Sequence, residues 1–211
     1  MLAFLLSAFV ISLSGALAPG PVTAATLAAG ARARHAGAQI AIGHLLVELP
    51  LIVLLAMGAG SLIDSPGVSA AIALAGGLVL LVLGGQLLLS LRSNPAPSGP
   101  PVQKHPVLIG VVLTLANPYF FVWWATVGLA LTTQAMAFGL TALALFAAVH
   151  WLCDLGALEA LSLAGFKGSE RFGARAQTVV AGVCGAMLTG FGVKFLVDAA
   201  IWLPTELSAS P

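Results

Sequence analysis

The sequence predicts an all-α integral membrane protein of six transmembrane helices, in two three-helix halves of opposite orientation, with helix breaks in the first and fourth spans. Three observations carry this. Over 211 residues the chain is 60% hydrophobic and 7% charged, with a mean hydropathy of +1.08, too few charges to cover a soluble domain. The apolar residues fall into six segments long enough to cross a bilayer. The polar and helix-breaking interruptions of the first half recur, in order, in the second.

The spans read as residues 2–29, 38–61, 68–91, 106–129, 140–164 and 177–200. Residues 130–164 are so uniformly apolar that the start of the fifth span floats by several positions. The opening MLAFLLSAFVISLSGALA has the look of a signal peptide, with Ala-Leu-Ala where cleavage would fall. However, the first charge is Arg32, so a positive n-region is missing, and Pro19 would follow the cut. It is read as a retained first span. RSNPAPSGPPVQKHP, residues 92–106, is the one linker-like stretch and is expected to be extended and exposed. It divides a single transmembrane domain into half-repeats 1–91 and 107–203. Arg32 and Arg34 fall in the first expected loop, Arg92 and Lys104 flank the third, and Lys167, Arg171 and Arg175 fall in the fifth, while the second and fourth carry none. That side is therefore cytoplasmic and both termini face outward. The remaining cation, Lys194, lies late in the sixth span, where it snorkels or serves a transport path.

The repeat rests on two alignments. Leu17-Ala18-Pro19-Gly20 lines up with Leu115-Ala116-Asn117-Pro118, which brings Gly30 onto Gly128. His44-Leu45-Leu46-Val47-Glu48 lines up with His150-Trp151-Leu152-Cys153-Asp154, and at that offset Gly76 meets Gly182 and Gly84 meets Gly190. Three spans per half invert the second half relative to the first. Pro19-Gly20-Pro21 and Asn117-Pro118 interrupt the first and fourth spans at matching places. Proline removes a donor and clashes one turn back, and in lipid the freed carbonyls are tolerated only inside protein or beside a wet cavity. Matched breaks point to a binding site near the midplane; the plainer reading is a proline kink in each span.

His44 and Glu48 share one helical face, as do His150 and Asp154. A carboxylate at the centre of a bilayer costs roughly 2.5–3.5 kcal/mol on insertion scales, so two such pairs in a chain with four His and seven acids call for a purpose. Three readings compete: a proton relay coupled to transport, a first shell for a divalent metal, and structural pairs that hold the halves in register. Tyr119, Trp123 and Trp124 line a pore or simply pack. Gly76, Gly84, Gly182 and Gly190 read as close-packing positions between the third and sixth spans. Cys153 and Cys184 read as small buried hydrophobes, Glu159 as a snorkelling acid, and Asp64, Asp198 and Glu206 as solvated on the outer side.

The Gly15-Ala-Leu-Ala-Pro-Gly-Pro21 stretch, the glycines at 30, 37 and 43, and Asn117-Pro118 continued as Tyr-Phe-Phe-Val-Trp-Trp-Ala-Thr-Val-Gly128 resemble the lysine exporter (LysE) family over essentially the whole chain. The resemblance implies a secondary exporter of amino acids or related metabolites, driven by an ion gradient, in the inner membrane of a prokaryote. The wider superfamily also contains metal-ion exporters. The doubled His/carboxylate pairs depart from the better-known amino-acid exporters and leave the substrate open. In the amino-acid reading, the substrate ammonium pairs with Glu48 or Asp154, and its carboxylate sits on the amides near Val22 and Thr23 or after Pro118. The coupling ion is expected to be a proton, no cofactor is implied, and the glycine-rich faces permit a homodimer. The near-zero net charge argues against nucleic-acid binding. The chain has no His-Glu-x-x-His and no Gly-x-Ser-x-Gly, which leaves an intramembrane metalloenzyme as a remote alternative.

Overall fold

The computed structural model describes residues 1–18, 20–58, 66–89, 91 and 105–209. Pro19, Asp64, the side chain of Glu206 and nearly all of the 92–106 linker, with Arg92 and Lys104, lie outside the described residues. The described chain is helical, without strands: α1 (Leu2–Ala16), α2 (Pro21–Gly30), α3 (Ala36–Ala56), α4 (Pro66–Leu89), α5 (Pro106–Leu115), α6 (Pro118–Trp123), a π-helical turn (Trp124–Gly128), α7 (Leu129–Ala137) and α8 (Leu140–Ala209). Among the described residues, five stretches are long and apolar enough to cross a membrane: Ala36–Ala56, Ala70–Leu89, Pro118–Ala137, Leu140–Gly173 and Thr178–Ile201. Leu2–Leu13 and Pro106–Leu115 are apolar but shorter. Prolines open α2, α5 and α6, where the missing N–H would have had no helical partner anyway.

Two sequence expectations are corrected. The fourth span does not end near residue 129, since the chain stays helical to Ala137. The turn into α8 is only Phe138 and Gly139, with Gly139 at φ +95°. The expected loop from 164 to 177 is also absent: α8 runs through Lys167 and Arg171 and reverses at Gly173 alone (φ 63°, ψ −150°), a conformation essentially reserved to glycine. Its two arms, before and after Gly173, behave as separate spans.

The apolar side chains form two cores. One collects Ala28, Ile40, Ala41, Leu113, Leu158 and Phe195, the other Phe4, Leu51, Ile52, Trp124 and Phe146. Along α3 only Val47 between Ala41 and Leu51 packs against a core, and along α8 none of the residues between Ala147 and Leu155 does. These gaps hold His44 and Glu48, and His150 and Asp154. The polar residues thus occupy one layer between two apolar ones, while Leu46, Leu49 and Val53 on α3 face outward, as lipid-facing side chains do.

α3 and α5 approach each other through glycine. A Cβ on Gly43 would run into the Val107 carbonyl, and one on Gly110 into the Ile40 carbonyl, so a side chain at either position would force the helices apart. The expectation for the other four glycines holds in part. Gly84 does lie against Thr189 and Gly185 of the second arm of α8. Gly76 instead abuts the Ala116 carbonyl, while a Cβ on Gly182 would only touch Leu91 at 3.5 Å and one on Gly190 would meet nothing within 4 Å. Glu159 is not a snorkelling acid: it meets His35 Nδ1 at 2.5 Å and accepts the Ala38 N–H at 2.9 Å, tying the first turn of α3 to α8. Asp198 is not simply solvated, since Lys194 Nζ lies 2.9 Å from its Oδ2 and Tyr119 Oη donates to it at 3.3 Å. Cys153 and Cys184 are buried free thiols.

Candidate functional site

The i, i+4 spacing places His44 and Glu48 one turn apart on α3, and His150 and Asp154 one turn apart on the first arm of α8. The two helices then bring all four together. Glu48 Oε1 stands between both imidazoles, 3.2 Å from His44 Nε2 and 3.1 Å from His150 Nε2. Asp154 Oδ2 lies 3.8 Å from His44 Nε2 and 3.6 Å from His150 Nε2. Each carboxylate therefore faces both histidines, including the one from the other pair. Glu48 is 1% exposed and Asp154 6%. Burying such groups costs heavily unless they are paired and hydrogen-bonded, and here the pairing is incomplete: Glu48 Oε2 and Asp154 Oδ2 are buried without a hydrogen-bond partner.

The outward nitrogens are held by hydroxyls. His44 Nδ1 lies 2.7 Å from Thr114 Oγ1 on α5, and His150 Nδ1 lies 2.7 Å from Ser12 Oγ on α1. Thr114 donates its one proton to the Gly110 carbonyl at 2.6 Å, so toward His44 it can only accept. His44 is therefore the Nδ1–H form, and in the neutral ring the Nε2 lone pair points at Glu48. Aromatic rings wall the histidines. Phe120 lies edge-on to His44 at 5.2 Å between centroids, and Trp124 and Trp123 lie 5.1 and 5.2 Å from His150. The π turn that starts at Trp124 leaves this ring fully buried against His150; such bulges recur at functional sites.

The tetrad forms part of the wall of a cavity of about 220 Å³. Of the other residues singled out in the sequence, Gly20, Pro21, Thr23, Asn117, Tyr119, Trp123 and Trp124 also line it. α1 ends at Ala16 and α2 begins at Pro21, with Gly20 extended and no side chain capping the new helix. Thr23 Oγ1 donates to the Ala18 carbonyl at 3.0 Å across this interruption. α5 ends at Leu115 and α6 begins at Pro118, capped by Asn117 Oδ1, which accepts the Tyr119 N–H at 3.1 Å. Pro118 is buried behind the wall rather than on it. Lys194 does not line the cavity: its side chain is 51% exposed, paired with Asp198 and lying over the ring of the lining residue Tyr119 at 5.0 Å. Pro19 is outside the described residues.

Sequence reasoning passed over Ser12 and Thr114. Hydroxyls in apolar helices usually return to the carbonyl one turn back, as Thr26, Thr126 and Thr189 do here, and nothing in the sequence separates Thr114 from them.

No curated protein and no solved structure matches the chain. The LysE type translocator family matches residues 13–199, a range that holds the whole tetrad and both helix interruptions. With its apolar helices and the buried polar layer between them, the chain belongs to the LysE type translocator family and is a multi-pass membrane transporter.

Proposed function

We propose that the chain is a secondary exporter that moves an amino acid or related small metabolite out across a prokaryotic inner membrane in exchange for protons, with the tetrad as its coupling site. The observation that carries this is the convergence of two His/carboxylate pairs on one buried cluster at the wall of a cavity that both helix interruptions also line. Imidazole is the side chain whose charge changes in the physiological pH range, and intramembrane ionisable groups mark ion pathways. Protons can pass between Nε2 of either histidine and Glu48 Oε1 without any helix moving far. A zwitterionic substrate has complementary partners: the uncapped first turn of α2 for its carboxylate, and the unpartnered oxygens of Glu48 and Asp154 for its ammonium.

The inverted six-span architecture belongs to the same reading. α1 with α2, and α5 through α7, act as the interrupted first spans of the two halves; α3 and the first arm of α8 are the second, and α4 and the second arm of α8 the third. The crossed hydroxyls support it. His44 of the first half is held by Thr114 of the second, and His150 of the second by Ser12 of the first. Both termini are then outside.

The test uses the purified chain in proteoliposomes loaded in turn with labelled amino acids, under an imposed proton gradient. One substrate class should efflux only with the gradient present. Glu48→Gln and Asp154→Asn should each abolish that efflux while the protein remains inserted. Full efflux in both variants would overturn the reading.

A further inference from the structure

We propose that three members of the tetrad, His44 through Nε2 and Glu48 and Asp154 through one oxygen each, also form a binding site for a divalent transition metal of the zinc class, with the fourth position left open toward the cavity. This goes beyond the exporter reading and does not depend on it.

The first argument is donor geometry. Zinc binds imidazole nitrogen and carboxylate oxygen at about 2.0–2.2 Å with tetrahedral preference, so the edges of its ligand tetrahedron are roughly 3.3–3.6 Å. From His44 Nε2 the edges to the Glu48 and Asp154 oxygens are 3.2 and 3.8 Å, which bracket that range. One donor atom from each of His44, Glu48 and Asp154 lies within 4.8 Å of the others. The longer of the two is no hydrogen bond, whereas a common ion accounts for both.

The second argument is the direction of the lone pairs. A ligating histidine commonly donates its other N–H to an outer partner, which fixes the ring's tautomer and orientation. Thr114 does this for His44, because its own proton is committed to Gly110. The third is the pair of orphans. Buried polar atoms without partners are rare and call for an explanation such as an ion, and Asp154 Oδ2, which faces both imidazoles, is one of them. Finally, two neutral imidazoles and two carboxylates carry a charge that one divalent cation cancels, removing the main cost of burying both acids together. The cavity opens onto these groups and gives an ion a way in.

The experiment titrates Co²⁺, a visible probe of zinc geometry, into the full chain purified in detergent and stripped of metal. Expected are one Co²⁺ per chain, the intense visible bands of four-coordinate cobalt, and their loss when Zn²⁺ is added. His44→Gln should lose those bands while Lys194→Ala keeps them. Asp154→Cys should add a thiolate-to-cobalt charge-transfer band in the near ultraviolet, which only direct ligation produces. Weak six-coordinate bands, no stoichiometric binding, or no new band in Asp154→Cys would overturn the proposal. Efflux from metal-free vesicles, run in parallel, separates the two readings. Efflux with no cobalt signal removes the metal site and leaves the exporter. A cobalt signal with no amino-acid efflux does the reverse.

Discussion

Thr114→Val probes how the site is held without touching any ionisable group. Valine has nearly the same shape, so the α3–α5 contact is preserved and the change is chemical. The Gly110 carbonyl loses an extra donor, which costs little. His44 loses the acceptor for its Nδ1–H at 2.7 Å, in a place where the His44 side chain is 13% exposed. Orphaning one buried donor costs about 1–3 kcal/mol. If that cost falls on the population of rings whose Nε2 faces Glu48, efflux drops roughly 5- to 140-fold, at 1.4 kcal/mol per tenfold. The assay is initial efflux from loaded proteoliposomes, together with the midpoint of thermal unfolding in detergent. Ser12→Ala should do the same through His150. Because both rings meet Glu48 Oε1, the two effects should not add, as expected of residues in one network. A Thr114→Val protein with unchanged efflux and unchanged stability would refute the idea that this hydroxyl sets the ring.

Other changes have different signatures. Gly43→Ala places a methyl against the Val107 backbone, 2.9 Å from the Val111 nitrogen; it should cost about 1–3 kcal/mol of overpacking, visible as a lower unfolding midpoint, and should weaken efflux because His44 is the next residue. Glu159→Ala removes the link from α8 to the first turn of α3 and should cost about 0.5–2 kcal/mol, the range of a lost helix cap, again read from the unfolding midpoint. Lys194→Ala should leave efflux unchanged, since its ammonium is bound to Asp198 and does not line the cavity.

The paired acids and histidines were legible because the i, i+4 spacing survives any uncertainty in where a span begins. The segments with no such marker were the ones misjudged. In residues 130–139 the polar Thr132, Thr133 and Gln134 lie inside the helix and do not mark its end; the turn depends on Gly139, through its left-handed backbone. Basic residues suggested a loop around residue 170, yet Lys167 and Arg171 stand four apart, a helical spacing, and only Gly173 departs from it. Thr114 and Ser12 were invisible for another reason: a hydroxyl's partner is a tertiary fact. Glu159 looked like a lone acid near a span end because its partner, His35, lies 124 residues away.

The most direct test of the central claim is proton-driven efflux of the identified substrate by Glu48→Gln and Asp154→Asn in the same vesicles. Each substitution keeps the size and shape of the side chain, removes its charge and turns one acceptor oxygen into a donating amide. The account predicts that both variants insert and fold yet carry no gradient-driven efflux. Wild-type efflux from both would mean that the tetrad holds the helices together and that transport runs elsewhere.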